Sequence, residues 1–117
     1  MQGRPRTKAQ AYRIQLITQE LGCLACDIEG ESGGFADAHH CDDQRQDHDR
    51  IYGLCPWHHR GLSVDGSHRN RMRNMYGPSK AHEPRAFTER YGTEQQLLDL
   101  QNQRIEEWEK SRVSKVI

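Results

Sequence analysis

The sequence predicts an α+β domain: a small zinc-stabilised core of two strands and a helix around metal, flanked by N- and C-terminal helices. Three observations carry that prediction. The 117-residue chain is 33% hydrophobic and 29% charged, too polar for a large dry core, so a metal staple is a natural source of stability. Seven histidines and four cysteines crowd between Cys23 and His82. Within that stretch, Cys23-Leu-Ala-Cys26 and Cys55-Pro-Trp-His58 each carry the two-residue gap that lets a pair of ligands reach one tetrahedral ion.

Taken in order, Pro5 to Leu21 reads as a helix, with Ala9, Tyr12, Leu16, Ile17 and Leu21 near helical spacing and Gly22 placed to end it. Leu24 to Ala38 is rich in glycine and acids. It reads as a loop with a turn at Gly33-Gly34, entering a short strand that carries His39 and His40. The polar run Asp42 to Asp49 is an exposed connection with His48 on the surface, and Ile51 to Leu54 returns as the second strand, Gly53 permitting a bend. Pro56 then opens a helix at the position where its missing N–H costs nothing. Gly61 to Arg73 is basic with few apolar anchors, and Gly77-Pro78-Ser79 breaks the chain again. Thr93 and Gln96 form a capping box ahead of a helix whose face is Leu97, Leu100, Ile105 and Trp108, running to about Lys110. One domain spans 1–117, with its metal core at 22–92.

Cys23, Cys26, Cys55 and His58 are therefore the expected structural Zn²⁺ ligands. If they meet, the intervening hairpin is pinned, and the histidines of its first strand approach His59 at the start of the helix. Neighbouring strand residues point to opposite faces, so His39 and His40 should do different work. One can ligate a divalent ion while the other draws a proton from water. His68 reads as an exposed or locally bonded imidazole, and Trp57 and Trp108 as core or lid residues rather than base-stacking platforms.

Net charge is zero, but it is unevenly spread. From Asp27 to Asp49 eight acids face one base, whereas from Arg50 to Arg90 eight bases, seven of them arginine, face three acids. Arg60, Arg69, Arg71, Arg73, Lys80 and Arg85 are the candidate phosphate contacts, and a solvated surface with scattered ion pairs is the alternative that charge alone leaves open. No stretch approaches the roughly 20 apolar residues of a membrane span, so no membrane role is expected. The basic, polar first thirteen residues do not read as a secretory leader, and cytoplasmic, reduced thiols are expected.

Asp37-Ala-His-His40 followed by Leu54-Cys-Pro-Trp-His-His59 resembles the HNH (His-Me finger, ββα-metal) endonucleases over roughly residues 22 to 92. The pattern is most similar to the phage recombination-enhancement (Ref-type) nucleases that depend on RecA. They share the CxxC, the His-His pair, the LCxxHH helix and a later stretch that here reads Gly77-Pro-Ser-Lys-Ala-His82, Phe87 and Tyr91-Gly92. The resemblance implies DNA hydrolysis with His40 as general base and with His39 and His59 holding a catalytic Mg²⁺ or Mn²⁺. His82 is a further candidate ligand. It also implies a RecA filament as partner and the cytoplasm of a bacterial host as location. The sequence departs at Arg50, where the HNH pattern usually has asparagine: Arg50 has no amide acceptor, but it can hold the scissile phosphate. Two other readings stay open: a zinc-binding module that recognises nucleic acid or protein without cutting, and a structural domain with a second, closed zinc held by His39, His59 and His82.

Overall fold

The architecture, in a computed structural model, is described for residues 5–31, 35–41, 47–63 and 66–116, with side chains to residue 112. The chain is α+β, with six α-helices and one two-stranded sheet among the described residues. Helix α1 (Lys8–Gln15) starts at a capping box in which the Thr7 side chain accepts from Gln10 N–H and the Gln10 side chain accepts from Thr7 N–H. It begins later than the apolar spacing suggested, because Thr7 supplies the cap. A wide π-helical turn, Leu16–Leu21, continues it and buries both Leu16 and Ile17. Gly22, at φ 77°, ends it as expected.

The expected loop after Gly22 instead begins with a short helix, α2 (Leu24–Ile28), capped by the Cys23 sulfur. The turn at Gly33-Gly34 and most of the polar run, residues 42–46, lie outside the described residues. Strands β1 (Asp37–His40) and β2 (Ile51–Leu54) pair antiparallel, with His39 opposite Tyr52 and His40 opposite Ile51. His48 is buried rather than on the surface, against His40.

Every residue of β2 is buried, since the π turn, α2 and the last helix all pack on it. Gly53 makes this possible through close approach rather than a bend. A Cβ there would sit 2.6 Å from the Gly22 carbonyl oxygen and 2.8 Å from Ile17, and the Gly53 N–H donates to the buried Gln101 side chain at 2.9 Å.

Helix α3 (Pro56–Arg60) has Pro56 in its first turn and ends at the left-handed Gly61. The basic stretch forms α4 (Arg69–Tyr76), stopped by Gly77. Helix α5 (Pro84–Tyr91), not foreseen from periodicity, lays Phe87 and Tyr91 into the core. The Thr93 and Gln96 box opens α6 (Glu94–Val116), which buries Leu97, Leu98 and Gln101, with Leu100, Ile105 and Trp108 half-buried along its length. Trp57 is a core residue, its indole N–H donating to the Gly77 carbonyl at 2.9 Å. Among the described residues no helix is long and apolar enough to cross a membrane.

Gly53→Ala should destabilise the fold by about 1–3 kcal/mol, because the obstacle is backbone that cannot rotate away. Urea unfolding should show a lower midpoint at constant slope, and an unchanged midpoint would contradict this packing.

Candidate metal centres

The first centre is built by two turns. Cys23 and Cys55 each cap a short helix with a sulfur that accepts the backbone N–H three residues on, from Cys26 at 3.3 Å and from His58 at 3.5 Å. Those turns carry Cys26 and His58 round to the same point, and the four ligand atoms lie within 4.8 Å of one another. His58 Nδ1 is 3.4, 3.5 and 3.2 Å from the sulfurs of Cys23, Cys26 and Cys55, and the sulfurs of Cys26 and Cys55 are 3.8 Å apart. A zinc tetrahedron with standard bond lengths has edges of about 3.5 Å between nitrogen and sulfur and about 3.8 Å between sulfurs. The set fits zinc.

The surroundings fix the imidazole. His58 Nε2 donates to the Tyr76 carbonyl at 2.8 Å and lies 3.3 Å from the Tyr91 hydroxyl, so Nδ1 is the nitrogen left to ligate. Burial works against charge on His58, but the Cys23 and Cys55 sulfurs overcome it and carry the ring up to about 10. Hydrogen bonds from Cys23 and Cys26 likewise pull the Cys55 thiol down towards thiolate, and Cys26, beside Cys23 and Cys55, is pushed up. A divalent cation satisfies all four donors where protons divide unevenly among them. Cys41, the remaining cysteine, is fully buried in the core.

The second cluster follows from strand alternation. Asp37 and His39, two apart on β1, face α3, while His40 leaves by the other face. On α3, His59 follows His58 of the cysteine cluster and turns towards β1. His39 Nδ1 lies 3.1 Å from His59 Nε2. Each ring's other nitrogen meets a carboxylate: His39 Nε2 donates to Glu94 Oε1 at 2.5 Å, and His59 Nδ1 donates to Asp37 Oδ2 at 3.0 Å. Lys80 and the Tyr52 hydroxyl also reach Glu94, at 3.3 and 3.4 Å, and Arg60 clasps Asp37 at 2.8 Å. Burial, outweighing Glu94, lowers the His39 pKa and favours the neutral ring.

His40 is not brought to this pair. Its Nε2 lies 3.3 Å from His48 Nδ1, and burial followed by the neighbouring His48 lowers its pKa. Arg50 donates to the Gln95 side chain at 3.3 Å, beside the head of α6. His82 Nε2 sits 3.1 Å from the Gly61 carbonyl, and its ring leans on Trp57, so its bond serves the end of α3. His68 caps α4 through Nδ1.

Of the bases expected to meet phosphate, Arg60, Arg73 and Lys80 are paired with Asp37, Glu83 and Glu94. Arg69, Arg71 and Arg85 are exposed and carry no ion pair among the described residues. Sequence reasoning missed Glu94, Asp37 and Lys80 as members of the histidine cluster. Glu94 looked like an ordinary first-turn acid, and no local signal marks it as a partner of His39.

The family model described as recombination enhancement, RecA-dependent nuclease, matches residues 6–106. The chain belongs to that family. The match spans the zinc set, the histidine cluster and most of α6, so the RecA-dependent nuclease resemblance read from the motifs holds at family level. No curated protein matches this family member.

Removing the zinc with a strong chelator, or substituting Cys26→Ser, should unfold this nuclease-family domain. Circular dichroism with metal analysis reads it, and an unchanged melting curve after complete zinc loss would contradict the assignment.

Proposed function

We propose that this protein is an HNH-type, metal-dependent endonuclease that hydrolyses DNA phosphodiester bonds in recombination, directed by a RecA filament. One observation carries the proposal: the two imidazole nitrogens facing each other at 3.1 Å. A neutral histidine has one N–H, and each ring spends it on a carboxylate, Glu94 or Asp37. Two bare lone pairs are thereby aimed at one point, an arrangement that repels unless a cation lies between them. Two ligands of one octahedral Mg²⁺ sit about 3.0 Å apart. Two protein ligands leave the rest of the shell to water and phosphate oxygen, as an open catalytic site needs.

A divalent cation bound there supplies positive charge to the scissile phosphate and its leaving oxygen. His40, on the other face of β1, is the general base that the motif resemblance implies; its Nε2 is engaged by His48, so Nδ1 would be the nitrogen to take the proton once substrate reaches it. Arg50 steadies the phosphate from the head of α6 in place of the usual asparagine. Arg69, Arg71 and Arg85 bind the backbone, and the strand pair with α3 corresponds to the ββα-metal core. The support for RecA is the family description, and for DNA that description together with exposed Arg69, Arg71 and Arg85, which carry no ion pair among the described residues.

The test is cleavage of plasmid and single-stranded DNA with Mg²⁺ or Mn²⁺, with and without a RecA filament. Wild type should cut only with added metal, and His40→Ala, retaining its zinc, should lose about 100-fold or more. DNA binding without cutting under every condition would favour a non-catalytic binding module. Binding should also weaken steeply with salt, and Arg69→Ala, Arg71→Ala and Arg85→Ala should each lower that salt slope by about one; flat affinity from low to high salt would remove these arginines from the interface.

A further inference from the structure

Glu94 and Asp37 have no place in the functional reading except as acceptors, yet their arrangement is specific. They approach the histidine pair from opposite ends and from different parts of the chain, Glu94 from the head of α6 and Asp37 from the start of β1. Each takes the nitrogen that points away from the partner ring, so each fixes a different tautomer: Nε2–H on His39 and Nδ1–H on His59. Neither carboxylate is loose. Asp37 is held by the Arg60 guanidinium through both oxygens, at 2.8 and 3.4 Å, and Glu94 Oε1 also receives Lys80 and the Tyr52 hydroxyl.

We propose that Glu94 and Asp37 are paired positioning residues that fix His39 and His59 as ligands of one divalent cation, Glu94 aiming Nδ1 of His39 and Asp37 aiming Nε2 of His59. The inference rests on the reading of that pair as a metal site and deepens it. A carboxylate behind a ligating imidazole fixes its tautomer and rotation and raises its basicity, which tightens the metal. The arrangement also accounts for Lys80: its ammonium anchors Glu94 at the base of the site and is not available as a phosphate contact while it does so. Because Glu94 is the first residue of α6, the cap that starts that helix also sets the angle of a metal ligand 55 residues earlier.

The experiment is Mn²⁺ binding to the zinc-loaded full chain, followed by titration calorimetry and by the loss of the free-ion electron paramagnetic resonance signal. Wild type, Glu94→Gln and Asp37→Asn are compared, each checked for one retained zinc and for its melting temperature. Gln and Asn keep an acceptor oxygen but lose the charge, so the fold should survive while Mn²⁺ affinity falls about 10- to 100-fold. The Mn²⁺ concentration for half-maximal cleavage should rise in parallel, with less change in kcat at saturating metal. Glu94→Asp, which retains the charge, should recover part of the affinity. Unchanged Mn²⁺ affinity in both amide variants would overturn the carboxylates' role while leaving the histidine site intact. A wild type that takes up no ion beyond its zinc would overturn both.

Discussion

Tying Cys23 and Cys26 to Cys55 and His58 closes a loop that carries the whole hairpin, and almost every functional distance depends on that closure. Neither turn has much apolar surface of its own: α2 and α3 are five residues each, too short to persist alone in water. A zinc bound by these four ligands would supply free energy that these helices lack, at a point that fixes their relative angle. Because His58 must face the sulfurs, its neighbour His59 is turned towards β1. Because β2 is held beneath α2, β1 is held beside it, and Asp37 and His39 share the face that His59 meets. The cysteine cluster thus sets the geometry of the histidine cluster without sharing a side chain with it.

The second cluster obeys a different constraint. Its rings are positioned by hydrogen bonds to carboxylates, and those carboxylates are themselves held by basic side chains, Lys80 on Glu94 and Arg60 on Asp37. Such a chain of partners removes rotational freedom before any substrate arrives, which is the condition for a site that acts by preorganised charge. It also divides the basic residues into two kinds. Arg60 and Lys80 are spent on holding the site, whereas Arg69, Arg71 and Arg85 remain exposed.

What was legible in the sequence was whatever acts through short spacing. The CxxC and CxxH turns, Pro56 at a helix start, Gly22 and Gly77 at helix ends, and the Thr93 and Gln96 box depend on residues within one turn of each other, and each appears where expected. The pairing of His39 with His59 was legible one step further on, through the zinc closure. Tertiary placement was not. Glu94 reaches His39 across 55 residues, and nothing in its neighbours distinguishes it from an acid that merely favours a helix N-terminus. His48 sits among acids and reads as surface, yet the fold buries it against His40. Gly53 read as permitting a bend and is instead the contact point between β2 and the Gly22 carbonyl, a steric fact set by a segment thirty-one residues away. Helix α2 was hidden because its cap is a cysteine, whose sulfur accepts hydrogen bonds that the usual capping residues would accept through oxygen.

On the proposed reading, two facing imidazole lone pairs make a cation site beside a zinc tetrahedron. Crystals of the zinc-loaded protein soaked in Mn²⁺, measured at the manganese and zinc absorption edges, test it directly. The expected result is a zinc peak inside the Cys23, Cys26, Cys55 and His58 tetrahedron and a separate manganese peak about 2.1–2.2 Å from both His39 Nδ1 and His59 Nε2. A manganese-free site in which the two rings share a proton would contradict it.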